Sequence, residues 1–113
     1  MTEIKHFSSK TDAKTIAEVL SEDGALIIDN VVSSDFIAEL RSETDPYMNH
    51  TSNGEDPFAG FNTTRTGGLL IRSEKCRELI EHSTILEPCR EFLAPFCERV
   101  QLHLTQIIRI RPG

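Results

Sequence analysis

The fold is limited most tightly by a pattern near the end of the chain, in which apolar side chains recur at every second position. Between residues 98 and 113, every second position predicts one face of a single long β-strand. The apolar members of that face are Val100, Leu102, Leu104, Ile108 and Ile110. Gln106 falls on the same face, and a buried amide needs hydrogen-bond partners. Gln106 therefore either bonds to neighbouring backbone or lies beside a ligand cavity.

The predicted strand ends at Pro112–Gly113, a turn signal after which a paired strand normally returns. Nothing follows it here, and an unpaired strand edge is a liability for a free-standing domain. We therefore expect the chain to be the N-terminal part of a larger protein, or a fragment that needs a partner.

Two helices are predicted in the first part of the chain. Thr11 or Asp12 caps the first helix, and Gly24 stops it after an apolar face with i, i+3, i+4 spacing. Ser33 is the predicted cap of the second helix, and Ala25–Ile28 between the two helices predicts a short buried strand.

Further along the chain, Leu69–Arg72 predicts a second short strand. Ser73 then caps a third helix, and a fourth helix has Pro88 at its first position and ends at Pro95. These segments and the final strand together predict an α+β fold.

The segment from Asp45 to Gly68 predicts a long loop, since it is rich in Asn, Asp, Thr, Gly and Pro. It also carries apolar and aromatic side chains, which a plain linker usually lacks. These are Tyr47, Met48, Phe58 and Phe61. This composition fits a loop that binds a ligand, and it fits equally a surface loop without a binding role.

Charge and hydropathy exclude several classes of protein. The net charge is −6, the pI is about 5.1, and the 12 Lys and Arg residues are scattered, which argues against a nucleic-acid partner. No apolar run reaches the roughly 18 residues that a membrane span needs. The first ten residues do not resemble a signal or transit peptide. We expect a soluble cytoplasmic protein with no membrane partner.

The motifs of common catalytic and metal sites are missing. Cys76, Cys89 and Cys97 form no Cys-x-x-Cys pair, and we expect them to be reduced and buried. The four histidines have no spacing typical of metal ligands, and no phosphate loop or Gly-x-Ser-x-Gly turn is present. From the residues alone we assign no catalytic residue and no metal ligand.

The order of the segments resembles the N-terminal half of the phytanoyl-CoA dioxygenase family, which are iron(II)- and 2-oxoglutarate-dependent oxygenases. The matching segments are Asp23–Ile28 with Val31–Val32, Thr64–Ser73, and Gln101–Gly113. The resemblance extends from about Asp23 to Gly113. Its most specific part is the last, in which a strand bearing a glutamine ends in Pro-Gly.

The resemblance implies a single partial domain over residues 1–113. Residues 1–97 would form an N-terminal region of helices and loops, packed on the start of a double-stranded β-helix (a jelly-roll or cupin-like barrel). Residues 98–113 would form the first long strand of that barrel, against which the remainder of the barrel or a partner strand would pair.

The resemblance also implies Fe(II) and 2-oxoglutarate as cofactors and a small organic molecule as substrate. The family's His-x-Asp pair, distant histidine and 2-oxoglutarate-anchoring arginine would lie beyond Gly113, so we expect these 113 residues alone to be inactive. Gln106 matches a strand glutamine close to 2-oxoglutarate, and Thr105, its neighbour on the opposite face, is a second candidate for cofactor binding. The loop from Phe58 to Thr66 matches the substrate entrance, which implicates Phe58, Phe61, Asn62 and Arg65 in substrate binding.

A second hypothesis does not require any sequence beyond residue 113. In it, the protein is a non-catalytic α+β module, complete at 113 residues, that dimerises or binds a partner through its exposed final strand. Binding of iron and 2-oxoglutarate, and the oligomeric state, distinguish the two hypotheses.

Overall fold

A computed structural model describes residues 3–112, and they separate into two compact units. Unit 1 consists of residues 3–33 and 79–101, and unit 2 consists of residues 34–78 and 102–112. The fold is α+β, as the sequence predicts. The described residues form two separate two-stranded sheets and no closed barrel, so the barrel stays a prediction. Among these residues, no helix is both long and apolar enough to cross a membrane.

Unit 1 is built on helices α1 (Ala13–Asp23) and α5 (Ser83–Leu93), which pack against each other. Asp12 caps α1 by accepting a hydrogen bond from the Thr15 backbone N–H (2.9 Å), and Gly24 ends the helix at φ 77°. Both predicted end signals of α1 are therefore confirmed. Ile16 and Ala17 are the buried residues of its apolar face.

A small parallel sheet completes unit 1, formed by β1 (His6–Ser8) and β2 (Ile27–Asp29). Strand β1 has no counterpart among the predicted elements, and β2 begins two residues later and ends one residue later than the predicted strand. The prediction that this strand is buried was wrong, because a sheet of two short strands leaves Ile27 39% exposed. Asn30 then takes a left-handed conformation (φ 55°) and turns the chain away from the strand.

Two sequence predictions about α5 were wrong. The helix begins at Ser83, where His82 Nδ1 accepts a hydrogen bond from the Thr84 N–H (3.2 Å), and Pro88 lies inside it rather than at its first position. Pro88 removes one helical hydrogen bond, but its ring is buried in unit 1, so packing offsets part of that loss. Cys89 of this helix, and Cys97 beyond its end, are exposed rather than buried.

Unit 2 contains the longest helix, α2 (Ser34–Asn49), followed by β3 (Thr63–Gly67), the short helix α3 (Leu69–Arg72) and the start of α4 (Glu74–Ile80). Strand β4 (Gln106–Ile110) pairs antiparallel with β3. The long predicted strand is therefore wrong in extent, because residues 100–105 form no ladder.

The predicted loop Asp45–Gly68 begins and ends with regular structure. Helix α2 continues through Pro46, and the side chain of Thr51 donates to the Tyr47 carbonyl (2.8 Å) at its C-terminal end. Met48 from this last turn is buried, which favours extension of the helix by packing. Only residues 50–62 form the loop.

The prediction of a strand at Leu69–Arg72 was also wrong. Gly68 takes a left-handed conformation (φ 68°) and redirects the chain into α3, a single helical turn. One turn buries Leu69 and leaves Ile71 91% exposed, so the continuous apolar run does not indicate a buried strand here.

Helix α4 has the predicted cap. Ser73 Oγ accepts from the Cys76 N–H (2.9 Å) and donates to Glu43 of α2 (2.5 Å), and the same carboxylate accepts from the Lys75 N–H (3.1 Å). The Ser73 hydroxyl, followed by the Lys75 N–H, holds the pKa of Glu43 below its ordinary value. Cys76 is buried beneath this cap, and burial raises the pKa of its thiol.

Candidate functional site

The β3–β4 ribbon of unit 2 has two different faces. Directly paired residues of antiparallel strands point to the same side of a sheet, so the register assigns each side chain to a face. Arg65 pairs with Ile108, Gly67 with Gln106, and Thr63 with Ile110. We call the side that carries Arg65, Gln106, Ile108 and Ile110 the open face. Thr64, Thr66, Ile107 and Arg109 lie on the opposite side, the covered face.

Helix α2 packs on the covered face through polar contacts. Thr66 Oγ1 lies 2.8 Å from Thr51 Oγ1, next to the end of α2. The Arg109 guanidinium donates to Asn49 Oδ1 (3.1 Å) and is paired with Asp45 (3.4 Å). These contacts hold both strands against the helix and fix the direction in which the open face points.

The open face brings together two of the residues predicted from the sequence. Gln106 lies opposite Gly67, two residues along β3 from Arg65, so the two side chains are diagonal neighbours. The sequence predicts that the Gln106 face is turned inward. Within the described part of unit 2 the isoleucines of this face are uncovered, with Ile108 half exposed and Ile110 77% exposed. In contrast, Thr63 opposite Ile110 is buried, and Gln106 is half-buried.

Thr105 is directed differently from Gln106, as the alternation predicts. Its Oγ1 accepts a hydrogen bond from the backbone N–H of Leu69 (3.1 Å), the first residue of α3. Thr105 thus helps to hold the turn between β3 and α3. A cofactor contact by Thr105 stays a prediction.

The loop 50–62 presents two aromatic side chains to solvent. Phe58 is 96% exposed and Phe61 is 60% exposed. Asp56 Oδ1 accepts from the Ala59 N–H (2.6 Å), and the Arg65 guanidinium donates to the Ala59 carbonyl. Arg65 therefore ties the aromatic part of the loop to the ribbon.

Asn62 closes the other side of the loop. Its carbonyl accepts from the Arg111 N–H (3.0 Å), and its side-chain amide donates weakly to the Pro112 carbonyl (3.5 Å). Gly60 makes the preceding turn at φ 84°, and a Cβ there would lie 2.6 Å from Thr63 Oγ1. Of the four predicted substrate-binding residues, Asn62 is thus occupied in holding the loop, whereas Phe58 and Phe61 are free to contact a ligand.

Arg72 is a cation near this site that no sequence motif indicated as a site residue. Its guanidinium donates to the Gly67 carbonyl (3.1 Å) and lies over the Tyr47 ring, 4.8 Å from the ring centre. Because Gly67 pairs with Gln106, a positive charge lies at the Gln106 end of the ribbon. The prediction of a strand over residues 69–72 concealed this position, which depends on the helical turn of α3.

No cluster of three or more His, Cys, Asp and Glu side chains suited to a metal ion occurs within residues 3–112. His6 and Asp29 of unit 1 are joined at 2.9 Å, but this is a contact of two residues only. The described residues therefore do not supply an iron site.

Comparison with known proteins gives one informative similarity. No family model matches the chain. The sequence is 31% identical over 78 residues to "Dioxygenase olcK" of Penicillium canescens, an alignment that covers 62% of this chain. This chain is similar to a dioxygenase. The same alignment covers 26% of the relative, so the chain spans about a quarter of that protein's length.

Proposed function

We propose that the chain forms part of an iron(II)- and 2-oxoglutarate-dependent oxygenase that oxidises a small organic molecule. The similarity to a dioxygenase is the observation that carries the proposal. The segments that resemble the phytanoyl-CoA dioxygenase family add the cofactors to it, and the cytoplasmic location is proposed from the composition of the sequence. The substrate itself stays open, since that family acts on unrelated molecules.

The proposal places the iron ligands outside the described residues, because these contain no suitable cluster. A His-x-Asp pair encoded shortly after Gly113 would supply the first two ligands. Iron held by three side chains keeps open positions for the cosubstrate and dioxygen. The described residues contribute binding and orientation.

The open face has the donors that a dicarboxylate such as 2-oxoglutarate requires. The Gln106 amide can donate a hydrogen bond, and Arg65 lies on the same face of the ribbon. The Arg72 guanidinium of α3 lies beside the Gly67 carbonyl at the end of the ribbon. These local charges matter because the net charge of −6 opposes an anionic ligand. In this arrangement Gln106 orients the cosubstrate.

The aromatic loop suits an apolar organic substrate. Phe58 and Phe61 offer ring surface, and the isoleucines of the open face lie on the ribbon to which Arg65 ties the loop. Hydrogen bonds within the loop favour a wall that is already formed before the substrate binds.

The test uses the native gene product with iron(II), in which succinate formation from 2-oxoglutarate is measured. Gln106→Leu is expected to raise the KM for 2-oxoglutarate, with little change in the amount of protein that is expressed. Gln101→Leu is the matched control, since it makes the same substitution at an exposed position of unit 1. An equal KM in the two variants would remove Gln106 from the site. Absence of any 2-oxoglutarate turnover would refute the proposed function.

A second candidate function is a non-catalytic binding or dimerisation module. The uncovered isoleucines and the single pairing of β4 favour it, because an apolar ribbon with a free edge can add a strand from another molecule. Analytical ultracentrifugation of the 113-residue chain tests it. A dimer that Ile108→Lys dissociates would support this function, and a monomer at high concentration would exclude dimerisation.

A further inference from the structure

A cavity of unit 1 lies at the end of α5, and none of its lining residues belongs to the open face. It has a volume of about 410 Å³. Arg90 reaches it from the last turn of α5, and the other lining residues come from the segment that follows the helix. The cavity is lined by Arg90, Ala94, Cys97, Glu98, Arg99 and Val100.

Charge in this cavity is not balanced. Arg90 and Arg99 are both exposed, and within residues 3–112 neither forms a side-chain hydrogen bond or an ion pair. The exposed Arg41 resembles them in this, whereas Lys5, Lys75 and Arg109 each contact a carboxylate. The chain has 18 acidic and 12 basic residues, so unpaired arginines are not explained by a shortage of carboxylates. Glu98 is the one acid that lines the cavity.

Two guanidiniums beside a small apolar surface are suited to one kind of ligand. Guanidinium groups bind phosphate and carboxylate through paired hydrogen bonds, and Ala94 and Val100 can contact a short carbon skeleton. We propose that this cavity binds a small anion that bears a phosphate or carboxylate group. The proposal does not depend on the oxygenase function, since the site lies in unit 1 and the open face lies in unit 2.

Cys97 provides a reporter inside the cavity. It is exposed, with its Sγ 3.5 Å from the Leu93 carbonyl. Cys89 is also exposed but lines a different, apolar cavity with Ile16 and Ile85, and Cys76 is buried. The chain thus contains its own control thiol. Cys89→Ser leaves Cys97 as the one exposed cysteine of the described residues, and Cys97→Ser leaves Cys89.

The experiment compares two disulfide reagents on each single-thiol variant, dianionic dithiobis(nitrobenzoate) and neutral dithiodipyridine. The ratio of the two rates cancels the thiolate fraction of each cysteine. Each exposed guanidinium near the thiol is expected to raise the rate of the dianionic reagent, relative to that of the neutral reagent, by a factor of roughly two to five. The ratio should therefore be higher at Cys97 than at Cys89, and Arg90→Gln or Arg99→Gln should lower it. Arg41 is an exposed arginine of unit 2, and Arg41→Gln should leave the ratio at Cys97 unchanged.

Protection then identifies the ligand class. Inorganic phosphate and citrate are titrated separately in a zwitterionic buffer, and the proposal expects saturable protection of Cys97 by at least one of them. The anion that saturates at the lower concentration distinguishes a phosphate from a carboxylate site. Equal rate ratios at the two cysteines, ratios unaffected by both arginine variants, or no saturable protection by either anion would each overturn the proposal.

Discussion

Two threonines on the covered face should respond in opposite directions to the same substitution. Thr64 and Thr66 are both 1% exposed and lie two residues apart on β3. Thr66 Oγ1 is hydrogen-bonded to Thr51, whereas Thr64 Oγ1 has no partner among the described residues. Valine has nearly the shape of threonine, so Thr→Val exchanges the hydroxyl for a methyl group at each position with little change in packing.

The magnitude follows from the hydrogen bonding. A buried hydroxyl without a partner costs about 1–3 kcal/mol, so Thr64→Val should raise the free energy of unfolding by about 1 kcal/mol after partial relaxation. Thr66→Val breaks a formed bond and leaves Thr51 without its donor, which should lower that free energy by about 1–2 kcal/mol. The two variants should therefore differ by about 2–3 kcal/mol.

Urea denaturation of both variants measures this difference from the midpoint and slope of each transition. Equal destabilisation by the two substitutions would refute the reasoning, because it would mean that Thr64 Oγ1 has a partner, such as a buried water. A changed slope in either variant would point to altered packing instead of a changed hydrogen bond.

Three further predictions concern local structure in unit 2. Ser73→Ala should lower the thermal stability by about 1 kcal/mol, since the Cys76 N–H loses its cap. The pKa of Glu43 is lowered in the folded state, so its contribution to stability is present above its ordinary pKa of 4.5 and is lost as the pH falls through the folded pKa. Acid titration of the native chain should therefore show a steeper loss of stability below pH 4.5 than that of Glu43→Gln. Gly60→Ala should destabilise the loop, measured as faster proteolysis after residue 50, because its φ of 84° and the contact with Thr63 exclude a Cβ.

Local signals in the sequence were sufficient for the helix ends. The cap at Asp12, the stop at Gly24 and the cap at Ser73 each depend on residues within three or four positions of the helix terminus. Such interactions form whatever the rest of the chain does. For this reason α1 and the start of α4 were predicted correctly from the sequence.

Predictions failed where packing at a distance decides the conformation. Leu69–Arg72 has the composition of a strand, but Gly68 and the buried position of Leu69 select a helical turn. Pro88 has a local preference for the first turn, yet α5 extends five residues before it because that face packs on α1. Neither outcome can be obtained from a window of a few residues.

The residues of the candidate site could be predicted from the sequence only in part. Alternation in the sequence predicts different directions for Gln106, the first residue of β4, and for Thr105 just before it, without knowledge of the partner strand. That Arg65 shares the face of Gln106 requires the register between β3 and β4, which the sequence does not specify. To predict the position of Arg72 from the sequence, one must also know that residues 69–72 form the helical turn α3.

The composition of the two ribbon faces argues that the open face is a contact surface. In most half-buried sheets the apolar side chains point toward the packed helix and the polar ones toward solvent. Here Thr64, Thr66 and Arg109 face α2, while Ile108 and Ile110 face outward. Thr66 and Arg109 are hydrogen-bonded beside α2, whereas Thr64 Oγ1 has no partner among the described residues. Burial of the exposed isoleucines is left to another surface. The remainder of a barrel, with the cosubstrate beside Gln106, and a second molecule both meet that requirement, and turnover of 2-oxoglutarate by the native gene product separates them.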